Sequence, residues 1–232
     1  MIELALNTFD YKDYNTLDLD GKRIYQISDD KLYPSITTVL GGTEDSKNKS
    51  ILANWKARVG KTEADRVGKT EADRVSLAAT NRGTNVHLML ERFLRNEDPQ
   101  LSTFPEDHVK MFNSLRLEVK KINKVYGQEV VLYSDTFGIA GRTDLIAEYQ
   151  GEMALIDYKT SKRVKSIDEI GDYWVQCYFY LTAHNEMFGT NIKKMIIMMG
   201  VENRLPMIFK KNADDSMLLK LAERSYEFYA KL

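Results

Sequence analysis

Apolar and polar positions follow two rhythms along the 232-residue chain, and the change from one to the other divides it. The first forty residues read as short strands and turns, with Arg23–Ile27 β-prone and Asp20-Gly21 a turn signal. Gly41-Gly42 punctuates the start of a helical region expected to run, with interruptions, from about Asp45 to Arg95. After Pro105, the positions Val109, Phe112, Leu115, Val119, Ile122 and Val125 recur at helical spacing, and Gly127 reads as the stop. The period then shortens. Val130–Tyr133, Leu145–Tyr149 and Met153–Tyr158 read as strands, with Gln150-Gly151 as the hairpin turn between the last two. Ile167–Phe188 returns to helical spacing and ends at Gly189. Lys194–Val201 and Met207–Phe209 are strands, and Asp214–Leu232 is a final amphipathic helix.

Helices bracketing a sheet predict an α/β fold, a mixed central β-sheet flanked by helices, built as one domain over residues 1–232. Its expected parts are N-terminal strands and turns (1–42), a helical segment (43–126), the main sheet with its helix (127–210) and a C-terminal helix (211–232). One segment breaks the pattern: Val59–Arg66 is repeated letter for letter as Val67–Arg74. Eight inserted residues would turn everything downstream on a helix by roughly 80°. The duplication therefore belongs in a stretch that tolerates looping out, and it is too short to be a solenoid unit.

Composition narrows the classes. No apolar run approaches the roughly 18 residues of a bilayer span. Met1–Asp20 carries five acidic residues against one lysine, unlike a secretory or transit peptide, so a cytoplasmic setting is expected. A single cysteine, Cys177, excludes an intramolecular disulfide and a four-cysteine metal site. The net charge of −1 does not advertise a nucleic-acid binder. Phosphate contacts depend on local patches, however, and two exist: Lys110, Arg116, Lys120, Lys121 and Lys124, then Lys159, Lys162, Arg163 and Lys165. Taken alone, each reads as a solvated face.

The residues that carry chemistry begin with Gly141-Arg-Thr-Asp144, followed by Ile156-Asp157-Tyr158-Lys159. Side chains alternate along a strand, so Asp157 and Lys159 share a face. A hairpin at Gln150-Gly151 brings Asp144 onto the neighbouring strand, near Asp157. Two close carboxylates repel unless a divalent cation joins them, and oxygen ligands suit Mg²⁺ or Mn²⁺. A surface hairpin with an Asp–Lys pair has the same spelling. Against it, Met153–Ile156 reads as a buried strand, and charges at its end are costly unless they function. His87 and Glu91 stand i, i+4 on one helical face, a candidate ligand pair, with Gly83 a turn earlier where a backbone or phosphate could approach. Gln176 and Tyr180 share the same spacing on a later helix, which otherwise reads as an aromatic core stripe.

In this order, G-x-x-x-H-x-x-x-E, G-x-x-D, I-D-Y-K-T and Q-x-x-x-Y resemble the motif series of RecB-like PD-(D/E)XK nucleases, from about Pro34 to Tyr180. The opening Pro34–Leu40 stretch and the later Trp55-Lys56 resemble the mitochondrial genome maintenance exonuclease branch and its phage and bacterial relatives. The resemblance implies a Mg²⁺- or Mn²⁺-dependent deoxyribonuclease in DNA replication, repair or recombination, acting on single-stranded ends. A phage-encoded member would work in the host cytoplasm. It implies Asp144, Asp157 and Lys159 as catalytic residues and His87, Asp144, Asp157 and Glu91 at the metal. Gln176, Tyr180, Ser35 and Thr37 would support the site or contact DNA. The charged Thr43–Arg82 segment could then bridge the site and admit only a threaded strand. The alternatives are a structure-specific or double-strand endonuclease and a catalytically silent DNA-binding accessory module. The chain lacks the four cysteines of iron–sulfur relatives, and it has no Walker motif for a helicase motor.

Overall fold

A computed structural model describes residues 2–43 and 71–231. The first repeat copy, Trp55-Lys56 and most of the expected bridging segment lie outside the described residues; of the second copy only residues 71–74 fall inside.

Two sheets form. The larger has six strands in the order β1 (Glu3–Leu4), β5 (Ile122–Ser134), β6 (Ile139–Tyr149), β7 (Glu152–Ser161), β8 (Lys194–Val201) and β9 (Met207–Asn212). Pairs β1–β5 and β7–β8 are parallel and the rest antiparallel, so the sheet is mixed as expected. The smaller sheet is the antiparallel meander β2 (Asn15–Leu19), β3 (Lys22–Gln26) and β4 (Leu32–Pro34). Its first turn uses Asp20 and Gly21, both at positive φ, and the β6–β7 hairpin turns on Gln150 and Gly151 in the same way.

Among the described residues, five α-helices sandwich the large sheet. Helices α2 (Glu71–Leu94) and α3 (Glu106–Val119) cover one face through Val86, Leu90, Phe112 and Leu115. Helices α1 (Ile36–Gly42), α4 (Gly171–Phe188) and α5 (Asp215–Tyr229) cover the other through Ile36, Phe179, Leu221 and Phe228. Strand β8 is buried along nearly its whole length, which is why it reads as an unbroken apolar run instead of an alternation. Helix α4 is the crossover that a parallel β7–β8 pair requires. It ends at Gly189 in the left-handed conformation, as its sequence predicts.

Two expectations are corrected. The helix after Pro105 stops at Val119, and Ile122, Val125 and Gly127 belong to β5. The pairing of β5 with β6 is irregular between Ile122 and Lys124 and again between Val125 and Gly127. These bulges stretch the buried spacing to three residues, which imitates a helix. Gly127 is no stop; a Cβ there would lie 2.8 Å from the Tyr11 ring. Similarly, the expected N-terminal strands and turns give way to α1 at Ile36–Gly42, which Gly41-Gly42 ends; the start of the helical region expected from about Asp45 lies outside the described residues. Ser35 caps α1, its Oγ accepting from the Thr38 N–H at 3.0 Å.

Candidate active site

The site forms where two strands part. Pairing between β6 and β7 ends at Leu145 and Ile156, although β7 continues beside β8 to Ser161. The Tyr158 N–H, which would otherwise lack a ladder partner on that side, donates to Asp144 Oδ2 at 2.6 Å. One step past the last pair, Asp157 stands across from Asp144. On the other side, Gln128 pairs with Leu145 and Val130 with Thr143, which sets Glu129 across from Asp144. Three carboxylates thus occupy one row over three strands. Glu129 holds a positive φ of 51°, a conformation uncommon for a residue with a side chain.

His87 reaches this row from α2, on the opposite face of the sheet. Its Nε2 donates to the Tyr158 carbonyl at 3.1 Å and its Nδ1 lies 3.4 Å from Asp144 Oδ1. Both partners are acceptors, so the ring carries both protons in this arrangement. Burial works against that charge, but the Asp144 carboxylate outweighs it and lifts the His87 pKa to about 9. Asp144 is held below the usual carboxylate range: burial pushes upward, and His87 and Lys159 overcome it. Burial lifts Glu129 to about 7, with Asp144 adding to the effect. Asp157, 1% exposed, is also raised by burial despite Lys159 beside it.

Lys159 extends on the α4 side of β7. Its Nζ is 2.5 Å from Asp157 Oδ2 and donates to Gln176 Oε1 at 3.1 Å. The Lys159 ammonium is thus the ion-pair partner of the buried Asp157 Oδ2. Gln176 Nε2 in turn donates to the Tyr180 hydroxyl at 3.3 Å. Tyr180 is buried and leans on Gly141, where a Cβ would come within 2.8 Å of its ring. The glycine of G-x-x-D is therefore the seat of the tyrosine of Q-x-x-x-Y.

The sequence-predicted residues divide accordingly. His87, Asp144, Asp157, Lys159, Gln176 and Tyr180 converge. Glu91 turns to Arg95 at 2.8 Å, and neither Glu91 nor Asp157 is among the clustered ligand atoms. Ser35 caps α1, shares a hydrogen bond with Thr37 at 2.9 Å and bridges to Ala140 of β6. Gly83 faces only Thr160 Oγ1, at 3.8 Å for an added Cβ, so packing does not demand a glycine there. Glu129 was not singled out by the sequence; only its polar character ahead of the apolar Val130–Leu132 run hinted at it.

His87, Glu129 and Asp144 each place a ligand atom within 4.8 Å of the others. Two carboxylates and one imidazole in this cluster, with Asp157 on the adjoining strand, form a donor set that fits a hard divalent cation.

Residues 100–205 match the family model of the PD-(D/E)XK nuclease superfamily. The chain is 29% identical over 155 residues to the Mitochondrial genome maintenance exonuclease 1 of Homo sapiens, covering 66% of this chain and 44% of that protein. It is 24% identical over 176 residues to the Xenopus tropicalis protein of the same name, covering 75% and 50%. The chain thus spans about half the length of the curated relatives it matches. Among solved structures, an alkaline exonuclease from Laribacter hongkongensis is similar with a TM-score of 0.36 and 13% identity, covering 77% of this chain and 91% of that one.

Proposed function

We propose that the chain, whose residues 100–205 match the family model of the PD-(D/E)XK nuclease superfamily, is a divalent-metal-dependent DNA exonuclease acting on single-stranded ends. The observation that carries the reading is the carboxylate row at the parting of β6 and β7, with Lys159 beside it. Its wider support is the resemblance to exonuclease relatives reported above.

His87, Glu129, Asp144 and Asp157 would hold Mg²⁺ or Mn²⁺, with His87 giving up its Nδ1 proton to become a ligand. When bound, such a cation polarises the phosphodiester and makes a bound water more acidic. Lys159 supplies fixed positive charge where negative charge grows on the reacting phosphate. Asp157 and Gln176 hold its ammonium, so little reorganisation is needed as that charge appears. His87 ties α2 to the Tyr158 backbone and fixes Asp144 from the far side.

The test is degradation of end-labelled linear single-stranded DNA against a covalently closed single-stranded circle, each with Mg²⁺, Mn²⁺ or EDTA. Linear strands should disappear only with metal, and circles should persist. Rapid cutting of circles would replace the exonuclease reading with an endonuclease. Inactivity on both would leave a silent binding module.

A further inference from the structure

The two basic stretches of the sequence have different fates. Along α3 and into β5, Lys110 lies 2.7 Å from Glu106, Lys121 lies 2.7 Å from Glu118, and Lys124 lies 2.6 Å from Glu3. Much of that patch is cancelled pair by pair. In the stretch after Lys159, Arg163 is bound by Glu169. Lys165 differs: among the described residues, no carboxylate is in ion-pair contact with it. It is half-buried, and its Nζ donates to the Tyr173 hydroxyl at 2.6 Å, 4.7 Å from the centre of that ring.

Tyr173 lies on α4 one turn before Gln176, and its ring centre is 5.0 Å from Lys159 Nζ. The Tyr173 oxygen accepts from Lys165, so its own O–H is available to donate. Lys165 keeps two of its three N–H donors. Among the described residues the ammonium of this partly buried lysine is held by a hydroxyl and a ring and by no carboxylate, and an arriving anion would complete its partners. The two ammonium groups lie within about 10 Å of each other across one tyrosine. A nucleic-acid strand crosses that distance in one or two linkages.

We infer that Lys165 and the Tyr173 hydroxyl form a binding site for a phosphate of the DNA strand, one or two linkages from the phosphate at Lys159. The site rests on the nuclease reading for its ligand, but its test does not depend on cleavage. Fluorescence anisotropy gives Kd for labelled single strands in Ca²⁺, using the full chain, Lys165→Ala and Tyr173→Phe. A single neutral methylphosphonate linkage is then walked along the oligonucleotide.

Lys165→Ala should raise Kd roughly tenfold, the loss of one hydrogen bond to a charged group, and Tyr173→Phe should raise it about threefold. One methylphosphonate position should weaken the unmodified protein by a similar factor and have no further effect on Lys165→Ala. Circular dichroism melts matching the parent protein separate lost binding from lost folding. An unchanged Kd, or equal losses at every linkage in both proteins, would overturn the site. The nuclease reading fails separately, through absence of metal-dependent hydrolysis in the unmodified protein.

Discussion

At the scale of single residues, the two acidic candidates make opposite predictions. Glu129 faces His87 and Asp144, whereas Glu91 is occupied by Arg95. Glu129→Gln should weaken Mn²⁺ binding by about tenfold or more, and Glu91→Gln should change it by less than about threefold, since only the first removes a charged oxygen ligand. Titration calorimetry on the two variants decides between them, and equal losses would return Glu91 to the metal.

The same residues set a pH dependence. Glu129 is raised to about 7 from its ordinary 4.5, so between those values the folded metal-free protein retains a proton there that the unfolded chain has lost. Stability from this group falls as pH rises through that window. His87, raised from 6.5 to about 9, contributes stability that is complete below 6.5 and lost as pH climbs through 9. Both shifts have the same sign. Burial holds His184 down to about 4, which acts with the opposite sign up to pH 6.5, so the melting temperature without metal should drop between about pH 6.5 and 8. The increase on adding Mn²⁺ should grow over the same range, because the cation competes with those protons. Melts at several pH values, with Mn²⁺ and with EDTA, check this; a metal-induced increase that shrinks as pH rises would contradict it.

At the scale of elements, the closest packing constraint lies between α3 and β8. A Cβ on Gly200 would stand 2.4 Å from Met111 Cγ and 3.1 Å from Leu115 Cδ1, both on the helix face buried against the sheet. Gly200→Ala should cost about 1–3 kcal/mol through overpacking, read as a lower urea midpoint. Gly200 pairs with Thr160, one residue past Lys159, so metal affinity measured on the folded fraction also reports whether the site tolerates the shift. An unchanged midpoint would mean that α3 slides without loss. The bulges in β5 matter at this scale too. They let one strand begin beside β1, bend past Tyr11 and still bring Glu129 opposite Asp144.

For the whole molecule, the distribution of charge matters more than its sum. A net charge of −1 is compatible with a DNA enzyme when the far patch is paired off and free cationic donors remain beside the site. The end-dependence test above belongs to this scale, because entry of a threaded strand is a property of the assembled surface.

How much was legible follows from which forces are local. Strand alternation and turn residues fixed the β6–β7 hairpin, and with it the approach of Asp144 to Asp157. The glycine stop of α4 and the apolar run of β8 were equally direct. The i, i+4 spacings of His87 and Gln176 marked real faces, because helical geometry needs no distant partner. What depends on register was hidden. Glu129 becomes part of the site only after two bulges adjust its strand, and those same bulges disguised Ile122 and Val125 as helix. Glu91 shares a helical face with His87, yet it is drawn to Arg95, a choice that spacing cannot express. The contact of Tyr173 with both Lys159 and Lys165 requires α4 to cross back over the sheet. Sequence alone therefore determined the order of the motifs and those elements whose periodicity no bulge disturbs, through short-range sterics. Tertiary structure decided which side chains meet, because long-range pairing sets the distances between charges.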